Sequence, residues 1–370
     1  MIIQNAEVYL EDHRFHKTGI SFDKKINAIG EVEAENAIDA EGRYLVPGFI
    51  DLHTHGAMGA DHSDGTVESI ETTSAYYAKN GVTSFCPTTM TLPEDVLVRA
   101  VRAAKSFCRK PSQAKCIGVY LEGPFVSMEK RGAQNAEYVH KPDFAMLKRI
   151  LEAGEGAVVA CTVAPEEEGG QDFIKEASKL VKVSIAHTAA DYDTAMEAFR
   201  NGASRVTHLY NAMPPYLHRN PGVIGAVMDS DCFAELICDG HHHHPCVDRN
   251  AFAAFPGKLA LISDSLRCAG LPDGEYELGG QQTFLKGGVA KLADGTIAGS
   301  CINLSDAVRY LISNGVSPEE VFRAASENPA KAIGVFDDRG SITAGKCADF
   351  VLLNRDYSVH SVYIDGVQVK

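Results

Sequence analysis

The chain has 370 residues, 45% hydrophobic and 23% charged, the composition of an ordinary folded protein with a sizeable core. Its formal net charge of −14, with no run rich in Lys or Arg, argues against nucleic-acid and anionic-membrane partners but leaves room for a local phosphate pocket. The opening MIIQNAEVYLEDHRF lacks a secretory pattern, no apolar run approaches the ~20 residues that span a bilayer, and ten scattered cysteines without a C-x-x-C pair read as free thiols of a cytoplasmic protein.

In chain order, the first ~45 residues read as short strands, because apolar residues alternate between Gly, Asn and Asp punctuation. The segments are IIQNAEVYL, GISFDKKINAIG and YLV. The stretch from Ala348 looks the same, with ADFVLLN followed by SVHSVYIDGVQVK and a hairpin turn at Asp365-Gly366. Neither end makes a core alone. The expectation is a small β-sandwich domain from residues 1–47 and 346–370, with a catalytic domain, 48–345, inserted between them.

That middle part alternates strand and helix, the pattern of parallel α/β folds. Eight strand candidates follow one another: FIDLHTH, VTSFCPT, IGVYLEG, AVVACTV, VSIAHT, RVTHLYN, AELICDG and LALISDS. Several are apolar on both faces, as strands buried under helices must be. Between them VESIETTSAYYAKNG, DYDTAMEAFRNG (N-cap Asp191, C-cap Gly202) and PEEVFRAASENPAKAIG read as helices. Eight such units predict a (β/α)8 barrel of the TIM type. The Gly-rich LPDGEYELGGQQTFLKGGVAKLADGTIAGS reads as a β-hairpin excursion after the eighth strand.

Polar residues at the strand tips carry the functional signal, since C-terminal strand ends of a barrel converge on one mouth. His53 and His55 share one strand face and suit a divalent transition metal. Glu122 can bind one ion or bridge two. His187 and His208 complete a His2Glu set with an open position, the mark of a catalytic rather than a structural site. Asp264 ends an apolar strand and is the candidate general acid/base, because a carboxylate there is costly without a role. In the run His241–His244, alternation puts His242 and His244 on one face, one of them meeting substrate.

At these residues the chain resembles a known family. VPGFIDLHTHG is similar to the first barrel strand of the amidohydrolase superfamily. LEGPF, AHT, THLYNAM, RNPG and ADGTIAGS together resemble the N-acetylglucosamine-6-phosphate deacetylases within it, over nearly the whole chain. The resemblance implies hydrolysis of N-acetylglucosamine 6-phosphate to glucosamine 6-phosphate and acetate. It assigns Glu122, His187 and His208 to a main metal, His53 and His55 to a second, and Asp264 to catalysis. It assigns Ala133, Asn211, Ala212 and His242 to sugar and phosphate. Arg219 matches an arginine that reaches phosphate across a homodimer interface. One or two divalent ions per subunit are implied, and Zn, Fe, Mn and Co all suit the donors.

Two departures stand out: Ser265-Leu266 follow the catalytic Asp where a small residue is usual, and Gln134 stands where some relatives carry a histidine near the sugar. A cyclic-amide hydrolase or deaminase is the rival reading. Such relatives often bridge two metals with a carboxylated lysine on the fourth strand, and AVVACTVAP has none. A non-catalytic homologue would be expected to have lost ligands that this chain keeps.

Overall fold

The structure, a computed structural model, describes residues 1–30 and 36–370; five positions of the expected terminal domain, 31–35, lie outside them. Eight parallel strands run in sequence order around a barrel: Phe49–Thr54, Val82–Thr89, Val119–Leu121, Val158–Val163, Lys182–Ile185, Ala203–Val206, Phe233–Ile237 and Leu259–Ile262. Each neighbouring pair from the first strand to the eighth forms a parallel ladder. The eighth and first strands close the circle through side chain and mouth: Ser263 Oγ donates to Asp51 at 2.6 Å and Asp264 N–H to the His53 carbonyl at 2.9 Å. Asp51 is wholly enclosed, and burial pushes its carboxyl up to about 7.

The strands are buried on both faces because helices wrap the outside while Ile50, Leu52, Cys86, Tyr120, Ala160 and Ile237 fill the interior. Helix ends follow their sequence signals. Asp191 accepts from Thr194 N–H at 2.8 Å and starts Tyr192–Arg200. That helix is capped by Asn201, one residue earlier than expected, and Gly202 supplies the positive φ just beyond. The segment from Pro318 bends through a π-helical turn at Arg323–Glu327 before Asn328–Ile333. Asn328 anchors it to the eighth strand through the Leu259 carbonyl at 2.7 Å.

Both chain ends build one eight-stranded sheet, in which Tyr44–Pro47 lies between Ile2–Tyr9 and Phe350–Leu353. Its own core joins Ile3, Ile20 and Phe22 to Phe350 and Tyr363. The Gly-rich excursion forms three antiparallel strands, Gly274–Leu278, Gln281–Lys286 and Val289–Leu292. Gln281 ties them to the mouth by donating to the Ala133 carbonyl at 2.7 Å. Among the described residues no helix is long and apolar enough to cross a membrane.

Candidate metal centre and ligand pocket

The strand tips bring the polar side chains together. His53 ends inside the first strand and His55 follows it; Glu122 follows the third strand directly. His187, His208 and Asp264 each stand two residues beyond the fifth, sixth and eighth strands. Those three share an uncommon backbone, with φ of 44°, 31° and 48°. A non-glycine residue held there costs about 1–2 kcal/mol, and the turn aims each side chain back over the barrel axis. All six residues are buried.

Two triads result. Glu122 Oε1 lies 3.1 Å from His187 Nε2 and 3.0 Å from His208 Nε2, and those two nitrogens are 3.1 Å apart. Asp264 Oδ1 lies 3.1 Å from His55 Nε2 and 3.5 Å from His53 Nε2, with the two nitrogens 3.2 Å apart. Glu122 joins the sets, because its Oε2 is 3.2 Å from His55 Nε2 while its Oε1 is 3.6 Å from His53 Nε2.

The proton inventory tests whether a cation fits. His187 Nδ1 donates to the Lys130 carbonyl at 3.0 Å, His208 Nδ1 to the Asn211 carbonyl at 3.2 Å, and His53 Nδ1 to Glu235 at 3.0 Å. Each of these rings, when neutral, therefore points an Nε2 lone pair at the centre. Lone pairs facing carboxylate oxygens at this range repel unless a positive charge sits among them. Ligands about 2.0–2.1 Å from one tetrahedral ion stand about 3.3 Å from each other, close to the separations seen. The donor set fits a divalent transition metal in each triad. The fourth strand carries no lysine; the carboxylate between the triads is Glu122.

The carboxylates likewise draw positive charge to the centre: against burial, they raise His53 and His55 toward the imidazolium. Burial pushes Glu122 up, but His53, His187 and His208 outweigh it and hold the carboxyl well below its usual range. Asp264 is likewise lowered, against burial, by His53 and His55. Beneath the triads, Glu235 accepts from His53 and pairs with Arg205, both fully enclosed. The Arg205 guanidinium lies over the Tyr120 ring, 4.6 Å from its centroid. Removing one partner of such a pair costs about 3–5 kcal/mol, so this pair is a rigid floor for His53.

Above the triads opens a pocket of about 320 Å³. Ala133, Asn211, Ala212 and His242 line it together with His55, Glu122, His187, His208 and Asp264, whereas His53 is sealed beneath. Met90, Ile237, Leu266, Leu278 and Ile297 make its apolar wall. No Lys or Arg among the described residues lines it. Arg219 is not brought to this pocket. It lies in the exposed run 215–220 and borders a separate surface groove with Pro214, Pro215 and Leu217.

The four histidines behave differently from the alternation expected. Residues 239–243 form a bend after the seventh strand, so period two does not apply. His242 lines the pocket with Nδ1 bonded to Asp239 at 2.8 Å. Burial would lower His242, yet the Asp239 carboxylate raises it, while Asp239 itself is held down to about 2. His243 turns inward to Asp248, and His244 caps the helix Pro245–Ala254. Gln134 is buried, accepting from Thr91 N–H and donating to Glu122 Oε2, both at 2.7 Å. One N–H of its amide is thus committed to the carboxylate, while the residue itself lines the pocket. Sequence reasoning also missed Arg205 and Glu235. Opposite charges on two consecutive apolar strands were the available signal.

Known proteins are similar to this chain over most of its length. The N-acetylglucosamine-6-phosphate deacetylase of Bacillus subtilis is 39% identical over 323 residues, covering 85% of this chain and 82% of its own. The N-acetylgalactosamine-6-phosphate deacetylase of Escherichia coli is 32% identical over 364 residues, covering 97% of this chain and 95% of its own. The crystallised N-acetyl-D-glucosamine-6-phosphate deacetylase mutant of Mycobacterium smegmatis, in complex with N-acetyl-D-glucosamine-6-phosphate, superposes with a TM-score of 0.91 at 30% identity, covering 100% of this chain and 99% of that one. The model of the amidohydrolase family matches residues 44–369, a span that takes in the whole barrel and every strand tip described above, and the chain belongs to that family.

Proposed function

We propose that the protein is a metal-dependent deacetylase that converts N-acetylglucosamine 6-phosphate and water to glucosamine 6-phosphate and acetate. The observation that carries this reading is Glu122, whose two oxygens join a Glu/His/His set to a His/His/Asp set at the floor of one pocket. Support for the substrate comes from the relatives, two of which are named for this sugar phosphate.

Glu122, His187 and His208 would hold one divalent ion, and His53, His55 and Asp264 would hold a second. A bound ion of this kind supplies Lewis acidity toward a water and toward the acetamide carbonyl. Asp264 takes the proton of the attacking water and passes it to the departing amine, which must leave protonated. Asp239 bonds Nδ1 of His242 and favours its imidazolium, whose Nε2–H is then the donor for the carbonyl oxygen. Ala133, Asn211 and Ala212 grip the sugar and its substituents. The Ala212 N–H, at a position lining the pocket, has no acceptor among the described residues and is available to a phosphate oxygen.

Because the pocket holds no Lys or Arg, the phosphate needs a cation from elsewhere. Arg219 of a second copy supplies it, and the working unit is a homodimer. Ten free cysteines fit a reducing cytoplasm. Acetate release from N-acetylglucosamine and N-acetylgalactosamine, each with and without 6-phosphate, tests the reading. The phosphorylated gluco sugar is expected to be the best of the four. Preference for the galacto sugar would move the enzyme toward its Escherichia coli relative, and no release from any of them would refute a deacetylase.

A further inference from the structure

Two of the free cysteines touch. Cys268 Sγ lies 3.2 Å from Cys301 Sγ, although 33 residues separate them in sequence. Cys268 is buried, whereas Cys301 is half-buried and reached from solvent. Burial raises the thiols of Cys86, Cys161 and Cys238, as in inert core cysteines. Cys268 departs from them: the hydrogen bond with Cys301, helped by the Arg267 guanidinium, lowers its thiol against burial. An accessible sulfur backed by a second one in contact is the arrangement in which oxidation ends in a disulfide.

The pair also sits beside the metal centre. The turn that carries Cys268 is bonded on two sides. On one side, the N–H groups of Gly56, Met58 and Gly59, just after His55, donate to the carbonyls of Ser265, Ala269 and Arg267 at 2.9, 2.9 and 2.7 Å. On the other, Ser300 N–H donates to the Asp264 carbonyl at 2.8 Å and Leu266 N–H to the Ser300 carbonyl at 3.0 Å. No slack remains between these segments, since a Cβ on Gly299 would stand 2.8 Å from both the Asp264 carbonyl oxygen and Leu266 Cδ2. Leu266 and Gly299 line the pocket. Turning the contact into a covalent bond draws the two sulfurs about 1 Å closer. In so tight a frame the shift passes to Asp264 and the pocket wall.

We propose that Cys268 and Cys301 are a reversible oxidation site, in which a peroxide joins them as a disulfide that slows turnover until a thiol reduces it. One thiolate attacks a peroxide oxygen, the O–O bond breaks, and a sulfenic acid and water result. The second sulfur then displaces water from the sulfenic sulfur, forming the S–S bond. Two thiols and one hydrogen peroxide thus give one disulfide and two waters. Two equivalents of a reducing thiol reverse the change.

The test treats metal-loaded protein with hydrogen peroxide, maps disulfide-linked peptides by mass, and follows acetate release before and after dithiothreitol. Wild-type protein should yield a peptide pair joining Cys268 to Cys301. Its kcat should fall about tenfold or more, since misplacing reacting groups by about 1 Å costs up to about 10²-fold, and dithiothreitol should restore it. Cys301→Ser should match the wild type before treatment and keep its kcat afterwards. Cys268→Ser should do the same and covers the case of a poorly folding Cys301→Ser. No linked pair in the wild type, a linked pair with unchanged kcat, or an equal loss in both serine variants overturns the proposal. The peptide map needs no substrate, so it judges the bond apart from the deacetylase reading, on which the acetate readout rests. Untreated wild-type protein that releases no acetate overturns that reading, and the map still decides whether the bond forms.

Discussion

The side-chain amide of Gln134 donates to Glu122 Oε2 at 2.7 Å, while its own oxygen is held by the Thr91 N–H at the same distance. That clamp fixes the one carboxylate shared by both triads. Partners of this kind are worth roughly 10–100-fold in metal affinity. Gln134→Leu keeps the volume and removes both bonds. Chelator competition should show weaker metal binding by that factor, beyond a loss of about 1–3 kcal/mol in the stability of metal-free protein from the orphaned Thr91 N–H. Unaltered affinity would make the clamp incidental.

Asp264 faces His53 and His55 from the end of the eighth strand. Asp264→Asn is nearly isosteric but cannot accept a proton from water. Turnover should fall roughly 10²-fold or more while fold and sugar binding persist. Because Asp264 belongs to the second triad, metal content is measured in the same samples. Near-normal turnover would remove Asp264 from catalysis, and complete loss of metal would make it chiefly a ligand.

His62 gives a pH signature in stability. It is buried, with Nδ1 at 2.8 Å from the Thr54 carbonyl and Nε2 at 3.0 Å from Thr73 Oγ1. Burial disfavours the imidazolium and pushes the pKa down to about 3. The unfolded chain takes up a proton near pH 6.5 that the folded chain refuses, so the stability contribution is whole above that pH and is lost as pH falls toward 3. The slope from this group approaches about 1.4 kcal/mol per pH unit. Urea unfolding at pH 7, 6 and 5 should show it, and His62→Gln should flatten the profile by that amount. An equally steep profile in the variant would contradict the assignment.

Arg219 tests the shared site. A guanidinium matches two phosphate oxygens at once. Arg219→Ala should raise KM for the 6-phosphorylated sugar at least tenfold, the loss of about 1.5–3 kcal/mol of charge-assisted hydrogen bonding. It should scarcely alter the use of the unphosphorylated sugar. Mixed dimers of Arg219→Ala and Asp264→Asn subunits should regain one working site each. A fully active monomer, or equal losses on both sugars, would exclude a site built from two chains.

The barrel was legible because its strands are apolar on both faces and end in polar residues, a pattern shared with doubly wound open sheets that the count of eight strands turns toward a barrel. His53, His55, Glu122, His187, His208 and Asp264 stood out as polar tips on apolar runs, and the structure gathers all six. The supporting contacts were not legible. Gln134 and His243 sit in irregular segments, where no period tells which way a side chain turns. Their partners, Thr91 and Asp248, are 43 and 5 residues away in sequence, and only the folded loops bring them together. The His241–His244 run misled for the same reason, since alternation holds in a strand and fails in a bend. Arg205 and Glu235 looked like ordinary charges until the ladder between the sixth and seventh strands set them side by side.

The most direct test of the account is to titrate a divalent metal into metal-free protein while following acetate release from N-acetylglucosamine 6-phosphate. The two triads joined at Glu122 predict no turnover without metal, activity that rises as metal is added, and binding that saturates at two ions per chain. Full turnover by metal-free protein would contradict it.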